Sequence, residues 1–351
     1  MKKISVIIPC YNEEITIKQV IEEFKKYLQE AEINVFDNNS KDNSVKLARE
    51  AGAMVTEVNY QGKGEVVRRA FSDIDSDIYI MVDADMQYDI SEIKKHIQYF
   101  LDRKLDMLNI SREVVNEDVY RKGHTFGNAM LTGFANMLFG KKFDDMLSGY
   151  RIFSKRFVKS FPAASKGFEI ETELTIYALQ MRLPVGEVPA KYFKRPEGSH
   201  SKLNTFRDGF RILFTIIYLM MTEKPLLFFN IISTVLFIIG MVFAISITIE
   251  YFETSKVDRF PTAILTICLL ILSALSFAIG LIMNAIGRAI AENRRFKYNS
   301  QSRAEQSRAE QSRAEQSRLI YATATYIFII IQNIKNYNLC CKLQHRFFMF
   351  N

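Results

Sequence analysis

The chain has 351 residues, 48% hydrophobic and 24% charged, which excludes a disordered polymer and leaves room for one substantial domain with something further. Its formal charge is +7, but the Lys and Arg residues are scattered, many beside long apolar runs and few interleaved with aromatics. That pattern disfavours nucleic acid as a partner and favours the acidic surface of a membrane. Cys10, Cys268, Cys340 and Cys341 lack zinc-site spacing, and two are adjacent, so a reducing compartment is expected. The opening MKKISVIIPCYNEE turns polar too early for a signal peptide.

In chain order, Ile4 to Pro9 is a β-branched run, Glu13 to Leu28 has helical apolar spacing, Ile33 to Phe36 reads as a strand, and Ser44 to Ala51 as a helix closed by Gly52. Met54 to Val58 (strand), Glu65 to Ile74 (helix) and Ile78 to Val82 (strand) follow. The alternation predicts a parallel sheet with helices packed on it. Ligands in such sheets bind beyond the carboxyl ends of the strands, where Asp37 and Asp83 fall.

The fourth strand ends in IYIMVDADMQYD, which groups Asp83, Asp85 and Asp89 around Gln87. Carboxylates at i and i+2 after a buried strand, with a third oxygen at i+4, suit a hard divalent cation that keeps positions open for phosphate. Mg2+ or Mn2+ fits best, held by Asp83, Asp85 and Gln87. A bare Asp-x-Asp also suits an acidic loop capping the helix near Ser91, or a haloacid-dehalogenase-type phosphatase. In those phosphatases the motif sits on the first strand with Thr or Val two residues beyond it, whereas here Gln87 holds that place.

Pro225 to Ile249 and Ala263 to Ile286 are each long enough to cross a bilayer. Lys202, Arg207, Arg211 and Lys224 precede the first, and Arg288, Arg294, Arg295 and Lys297 follow the second, while the loop from Glu250 to Arg259 is near neutral. The positive-inside rule then puts the N-terminal domain and the tail in the cytoplasm. From Gln301 the motif QSRAE repeats; its residues favour helix, but a five-residue period leaves no apolar stripe, so a solvated spacer is expected. The expected divisions are a catalytic domain over 1–200, an amphipathic juxtamembrane segment over 201–224, membrane helices over 225–249 and 263–286, a repeat linker over 299–318 and a short apolar tail over 319–351.

The motifs VIIPCYNEE, VFDNNSKDNS, QGKGEVVRRA, VDADMQYD, DDMLSGYRIFSKR and YFKRPEGSHSKL stand in the order found in family 2 glycosyltransferases. With the two C-terminal spans, the chain resembles the branch that makes polyprenyl-phosphate sugars, alongside dolichyl-phosphate mannose synthase and the bactoprenol glucosyltransferases. The resemblance runs from about Lys2 to Asn284. It implies an α/β GT-A domain, a Rossmann-like nucleotide-diphospho-sugar transferase, followed by transmembrane helices. The enzyme so implied is a multi-pass protein of the bacterial inner membrane, with its catalytic domain in the cytoplasm. Its partners would be a nucleotide sugar, by analogy a UDP-sugar, a polyprenyl phosphate and the bilayer, with a homo-oligomer left open.

The same resemblance distributes roles. Pro9, Tyr11, Asn12 and Glu13 line the nucleotide pocket, and Asp37 meets base or ribose. Lys63, between Gly62 and Gly64, approaches base or diphosphate. Arg195, Ser199 and Lys202 form a second clamp on phosphate. Asp144, Asp145, Ser148 and Arg151 form the acceptor side, with Arg151 gripping the lipid phosphate through its fork. His124 and Asn128, one helical turn apart, could face the same pocket or pack a helix. A phosphate monoester, with a second pKa near ~6, is already ionised at neutral pH, so no dedicated base is required. Two alternatives remain: a processive polysaccharide synthase, whose acceptor motif needs a Trp that this chain lacks, and a membrane-anchored binding protein that has lost activity.

Overall fold

Strand β1 (Ile4–Cys10) is apolar on both faces: Val6, Ile8 and Cys10 enter one cluster of buried side chains and Ile7 enters another. A strand covered on both sides belongs inside a parallel sheet. The computed structural model describes residues 2–114, 129–130, 132–137, 140, 142–163, 165–167, 169–196, 214, 217–218, 220–222, 224–257 and 259–347. The expectations placed on His124, Asn128, Ser199 and Lys202, and on most of the segment 201–224, lie outside the described residues.

In helix α1 (Ile17–Tyr27), Ile17, Val20, Ile21 and Phe24 are buried at helical spacing, and Lys25 and Lys26 oppose the dipole in the last turn. The helix starts at Ile17 rather than Glu13, because the amides of Thr16 and Ile17 first close a turn on the Glu13 carbonyl. Next come β2 (Glu32–Asp37), α2 (Ser44–Glu50), β3 (Met54–Glu57), α3 (Lys63–Asp73), β4 (Ile78–Met81) and α4 (Ile93–Asp102). Beyond these lie β5 (Met107–Val114), β6 (Arg151–Ser154), α5 (Lys155–Ser160), α6 (Ile170–Gln180) and β7 (Val185–Tyr192). Residues of α1 and α4 bury one face of the sheet, and residues of α3, α5 and α6 the other.

The strand order is β3-β2-β1-β4-β6-β5-β7. β1 pairs in parallel with β2, Cys10 beside Asp37, and with β4, Ile7 beside Met81, so their carboxyl ends share one edge. β6 alone runs against its neighbours, pairing Arg151 with Met81 and with Asn109. An antiparallel strand begins where its neighbours end, so the segment leading into Arg151 lies on the edge that carries Asp83 and Asp85. β7 pairs in parallel with β5 as far as Tyr192, which brings Arg195 to the same edge.

Helices α7 (Pro225–Thr254) and α8 (Phe260–Phe347) are each long and apolar enough to cross a membrane. Ser233 and Ser273 each donate a hydroxyl to the other's carbonyl at 2.9 Å. A Cβ on Gly280 would lie 2.9 Å from Phe229 Cβ, and one on Gly240 would lie 3.0 Å from Leu270. Small residues that let two backbones approach are the usual means of joining helices in lipid. The chain divides into two compact units, Met1–Tyr298 and Asn299–Asn351. In the second the backbone is helical through Phe347, so the QSRAE repeat is helix, as the propensities of Ala, Glu, Gln and Arg favour.

Candidate active site

Six segments meet at the carboxyl edge of the sheet: the ends of β1, β2, β4 and β7, the start of α3 and the loop into β6. Asn12, at φ 51°, donates its amide to Ser40 Oγ at 2.8 Å and accepts the Lys41 amide at 2.7 Å. It thus ties the turn after β1 to the turn after β2, instead of capping a helix. Asp37 is buried; one oxygen accepts the Ser40 amide at 3.0 Å and the other has no partner. Beside it, burial first and the Asp37 charge second push the Cys10 thiol up to about 12, so this cysteine stays protonated and inert.

The loop before α3 is held by backbone proximity. A Cβ at Gly62 or at Gly64 would sit 2.1 Å from the carbonyl oxygen of Lys166 or of Ser165, and Gly62 adopts φ +136°, so both positions require glycine. That approach directs Lys63 inward, where Nζ stands 2.5 Å from Asp83 Oδ1 and 2.5 Å from Glu171 Oε1. Burial works against the ammonium, but Asp83 and Glu171 outweigh it and hold its pKa above the ordinary lysine value. Lys63, expected to approach base or diphosphate, is here the core of a carboxylate cluster, its ammonium engaged by Asp83 and Glu171.

Asp85 is held from the opposite side. Arg195 Nη2 donates to its Oδ2 at 2.7 Å, Arg195 Nε donates to Gln87 Oε1 at 3.0 Å, and Arg195 Nη1 lies 3.7 Å from Glu13 Oε1. Burial, and then the neighbouring Asp83 charge, push Asp85 up to about 6 against the pull of Arg195. Four carboxylates, Glu13, Asp83, Asp85 and Glu171, thus share two cations, Lys63 and Arg195. Among the described residues no three acidic, His or Cys side chains converge as a ready-made cation site, because each carboxylate faces its basic partner. The Asp83 and Asp85 carboxylates offer the oxygen donors that a hard divalent cation takes.

Residues 5–161 match the family model described as glycosyl transferase family 2. An uncharacterized protein of Shigella flexneri is 49% identical over 156 residues, 44% of this chain and 96% of that one. The chain belongs to glycosyl transferase family 2. The UDP-N-acetylglucosamine–dolichyl-phosphate N-acetylglucosaminyltransferase of Methanococcus voltae is 28% identical over 249 residues, 63% of this chain and 97% of that one. The crystal structure of glucosyl-3-phosphoglycerate synthase from Mycobacterium tuberculosis with Mn2+, uridine diphosphate and glucosyl-3-phosphoglycerate has a TM-score of 0.50 at 20% identity, covering 63% of this chain and 79% of that one. It shares the GT-A fold.

In this glycosyltransferase several residues of the DDMLSGYR segment hold the loop rather than face a ligand. Arg151 is fully buried; it donates from Nε to the Ser148 carbonyl at 3.0 Å, from Nη1 to Thr175 Oγ1 at 2.9 Å and from Nη2 to the Met146 carbonyl at 2.5 Å. A guanidinium so engaged has no fork for a lipid phosphate, which corrects the sequence expectation. Ser148 is likewise buried, its hydroxyl bonded to the Ile110 carbonyl and beside the Tyr88 hydroxyl. Asp145 is gripped at 2.7 Å on both oxygens by Arg112, while Asp144 is exposed and its amide donates to Glu187 at 2.7 Å. The Gln87 oxygen accepts from Tyr192 at 2.8 Å as well as from Arg195, and its Nε2 donates to the Phe193 carbonyl at 3.0 Å. In this arrangement Gln87 positions the end of β7.

Three members of the glycosyltransferase site escaped sequence reasoning. Glu171 is buried on a helix with most faces covered, one oxygen on Lys63 and the other without a partner, and its pKa is raised by burial against the pull of Lys63. The legible signal was an acidic residue at a core position of EIETEL. Gly149 admits Asp83: a Cβ there would lie 2.1 Å from Asp83 Oδ2. Arg112 carried no signal, since its partner Asp145 is thirty-three residues away.

Proposed function

We propose that the chain transfers a sugar from a nucleotide diphosphate donor, most simply a UDP-sugar, to a polyprenyl phosphate at a membrane. The observation that carries this reading is the placing of the Asp83 and Asp85 carboxylates at the carboxyl edge of a GT-A sheet, in a chain with two membrane-length helices. The dolichyl-phosphate acceptor named for the Methanococcus voltae relative supports the choice of acceptor, and Mn2+ and uridine diphosphate in the fold neighbour support a diphosphate donor with a divalent cation.

Asp83 and Asp85 would hold the cation, which supplies positive charge where the departing diphosphate gains negative charge. Asp37 offers its unpartnered oxygen to a donor N–H or hydroxyl of the nucleoside. Pro9, Tyr11, Asn12 and Glu13 frame the nucleotide through the turn that Asn12 secures. Lys63 and Glu171 fix Asp83 in place. Arg195 supplies a guanidinium to the phosphates. Asp144, exposed beside the Arg112–Asp145 pair, lies on the acceptor side, where the lipid phosphate arrives already ionised. The basic flanks of the two spans support a cytoplasmic catalytic domain, on the side where nucleotide sugars are made.

The test presents membranes containing the protein with a panel of nucleotide sugars and a short polyprenyl phosphate, and identifies the lipid product by mass spectrometry. A polyprenyl-phosphate sugar is expected. Extension of a soluble oligosaccharide with no use of polyprenyl phosphate would overturn the reading.

A further inference from the structure

The same guanidinium that would serve the phosphates closes the cation site in the free chain. Arg195 Nη2 occupies Asp85 Oδ2 at 2.7 Å, and Oδ1 of that carboxylate accepts the Gln87 amide at 3.3 Å. A cation arriving at Asp85 must therefore compete with Arg195 for an oxygen already in use, and must do so against a like charge. The side chain is placed to move without its backbone. Phe193 is pinned to Gln87 in both directions, its amide donating to the Gln87 carbonyl at 2.8 Å and its carbonyl accepting Gln87 Nε2 at 3.0 Å. Arg195 stands two residues further on, about a quarter exposed (26%), with Nη1 buried and without a hydrogen-bond partner, and with Glu13 at 3.7 Å as its second anion.

Resting on the metal reading above, we propose that Arg195 is an exchangeable stand-in for the metal: it neutralises Asp85 in the free enzyme, yields that carboxylate to the incoming cation, and is received by the donor diphosphate. A guanidinium forks onto phosphate oxygens at least as well as onto a carboxylate and an amide. The diphosphate thus offers the displaced Arg195 a new partner, so cation and donor each tighten the binding of the other by the same factor. Cation alone binds weakly, and the complete site assembles only when a diphosphate is present.

The experiment titrates Mn2+ by electron paramagnetic resonance into the purified full chain in detergent, with and without uridine diphosphate, for the parent, Arg195→Met and Arg195→Lys. Without nucleotide, Arg195→Met is expected to bind Mn2+ roughly tenfold tighter than the parent, a typical size for coupling between sites. Its gain in Mn2+ affinity on adding uridine diphosphate should be smaller than the parent's. Arg195→Lys keeps the charge but loses the fork to Gln87, so it should fall between the two, and it reports the exchange should Arg195→Met fold poorly. Equal or weaker Mn2+ binding by both variants without nucleotide overturns the inference while leaving the metal reading intact. Absence of Mn2+ binding in all three proteins, with and without nucleotide, overturns both.

Discussion

Gly149 has no side chain, and that is its function: a Cβ at this position would lie 2.1 Å from Asp83 Oδ2. Gly149→Ala should displace the Asp83 carboxylate from Lys63 and lower activity by about a hundredfold, the scale on which misplaced catalytic groups act, while the melting temperature changes little. Unchanged turnover would mean that Asp83 tolerates the shift. Arg151 predicts the opposite pattern. Arg151→Met strands the Ser148 and Met146 carbonyls in a buried setting, at about 1–3 kcal/mol for each group left unpaired. Its melting temperature should fall markedly, with the acceptor KM of the surviving protein unchanged. A raised acceptor KM without loss of stability would return Arg151 to the ligand. His96 adds a pH dependence away from the site. Burial holds its pKa below the ordinary 6.5, opposed by Glu92 and Asp89 and aided by Lys95, while its ring lies 6.2 Å from the buried Tyr150 ring. The unfolded chain therefore takes up the proton first. The His96 contribution is complete above about pH 6.5 and is lost as pH falls through the folded value. His96→Gln should flatten this acid-side decline in melting temperature. A parent protein equally stable at about pH 5.5 and 7.5 would remove the effect.

Elements were legible in proportion to how local their causes are. Ile4 to Val82 alternates β-branched runs with helical spacing, and β1 to β4 follow that alternation because β1, β2 and β4 are buried on both faces, β3 closes the edge half exposed, and each helix buries one stripe. The reversed strand β6, between β4 and β5, left no periodic signal, since four residues that pair with segments on either side read alike in both directions. Of the site, Asp83, Asp85, Glu13 and Arg195 were legible because a strand end and a motif order mark them. Whether Arg151, Ser148 or Gln87 faced a ligand or the protein interior was not, since that turns on hydrogen bonds to residues up to more than a hundred positions away. At the membrane end, Gly280 meets Phe229 across the pair of apolar helices. Gly280→Leu should separate α7 from α8, abolishing a cross-link between cysteines placed at Ser233 and Ser273. Retention of that cross-link would show that the pair does not depend on close backbone approach.

For the whole molecule, side chains of the catalytic fold are bonded to the stretch of α8 that follows the second apolar run. The Asp106 carboxylate, fully buried, accepts from Arg156 Nε at 2.5 Å, Ser154 Oγ at 2.6 Å and Tyr298 Oη at 2.7 Å, and Arg294 donates to Gln180 at 2.6 Å. These bonds lie away from the carboxyl edge of the sheet, so they fix the domain to α8 without touching the site. The central claim concerns the site: a divalent cation between Asp83, Asp85 and a donor diphosphate drives transfer to a lipid phosphate. The most direct measurement is the rate of polyprenyl-phosphate sugar formation by membranes stripped with chelator and then given Mg2+ or Mn2+, for the parent and Asp85→Asn. Transfer should vanish with chelator, return with either cation, and fall by about a hundredfold or more in Asp85→Asn, as expected when charge stabilisation of a leaving group is removed. Undiminished transfer in excess chelator, or an Asp85→Asn variant as active as the parent, would contradict it.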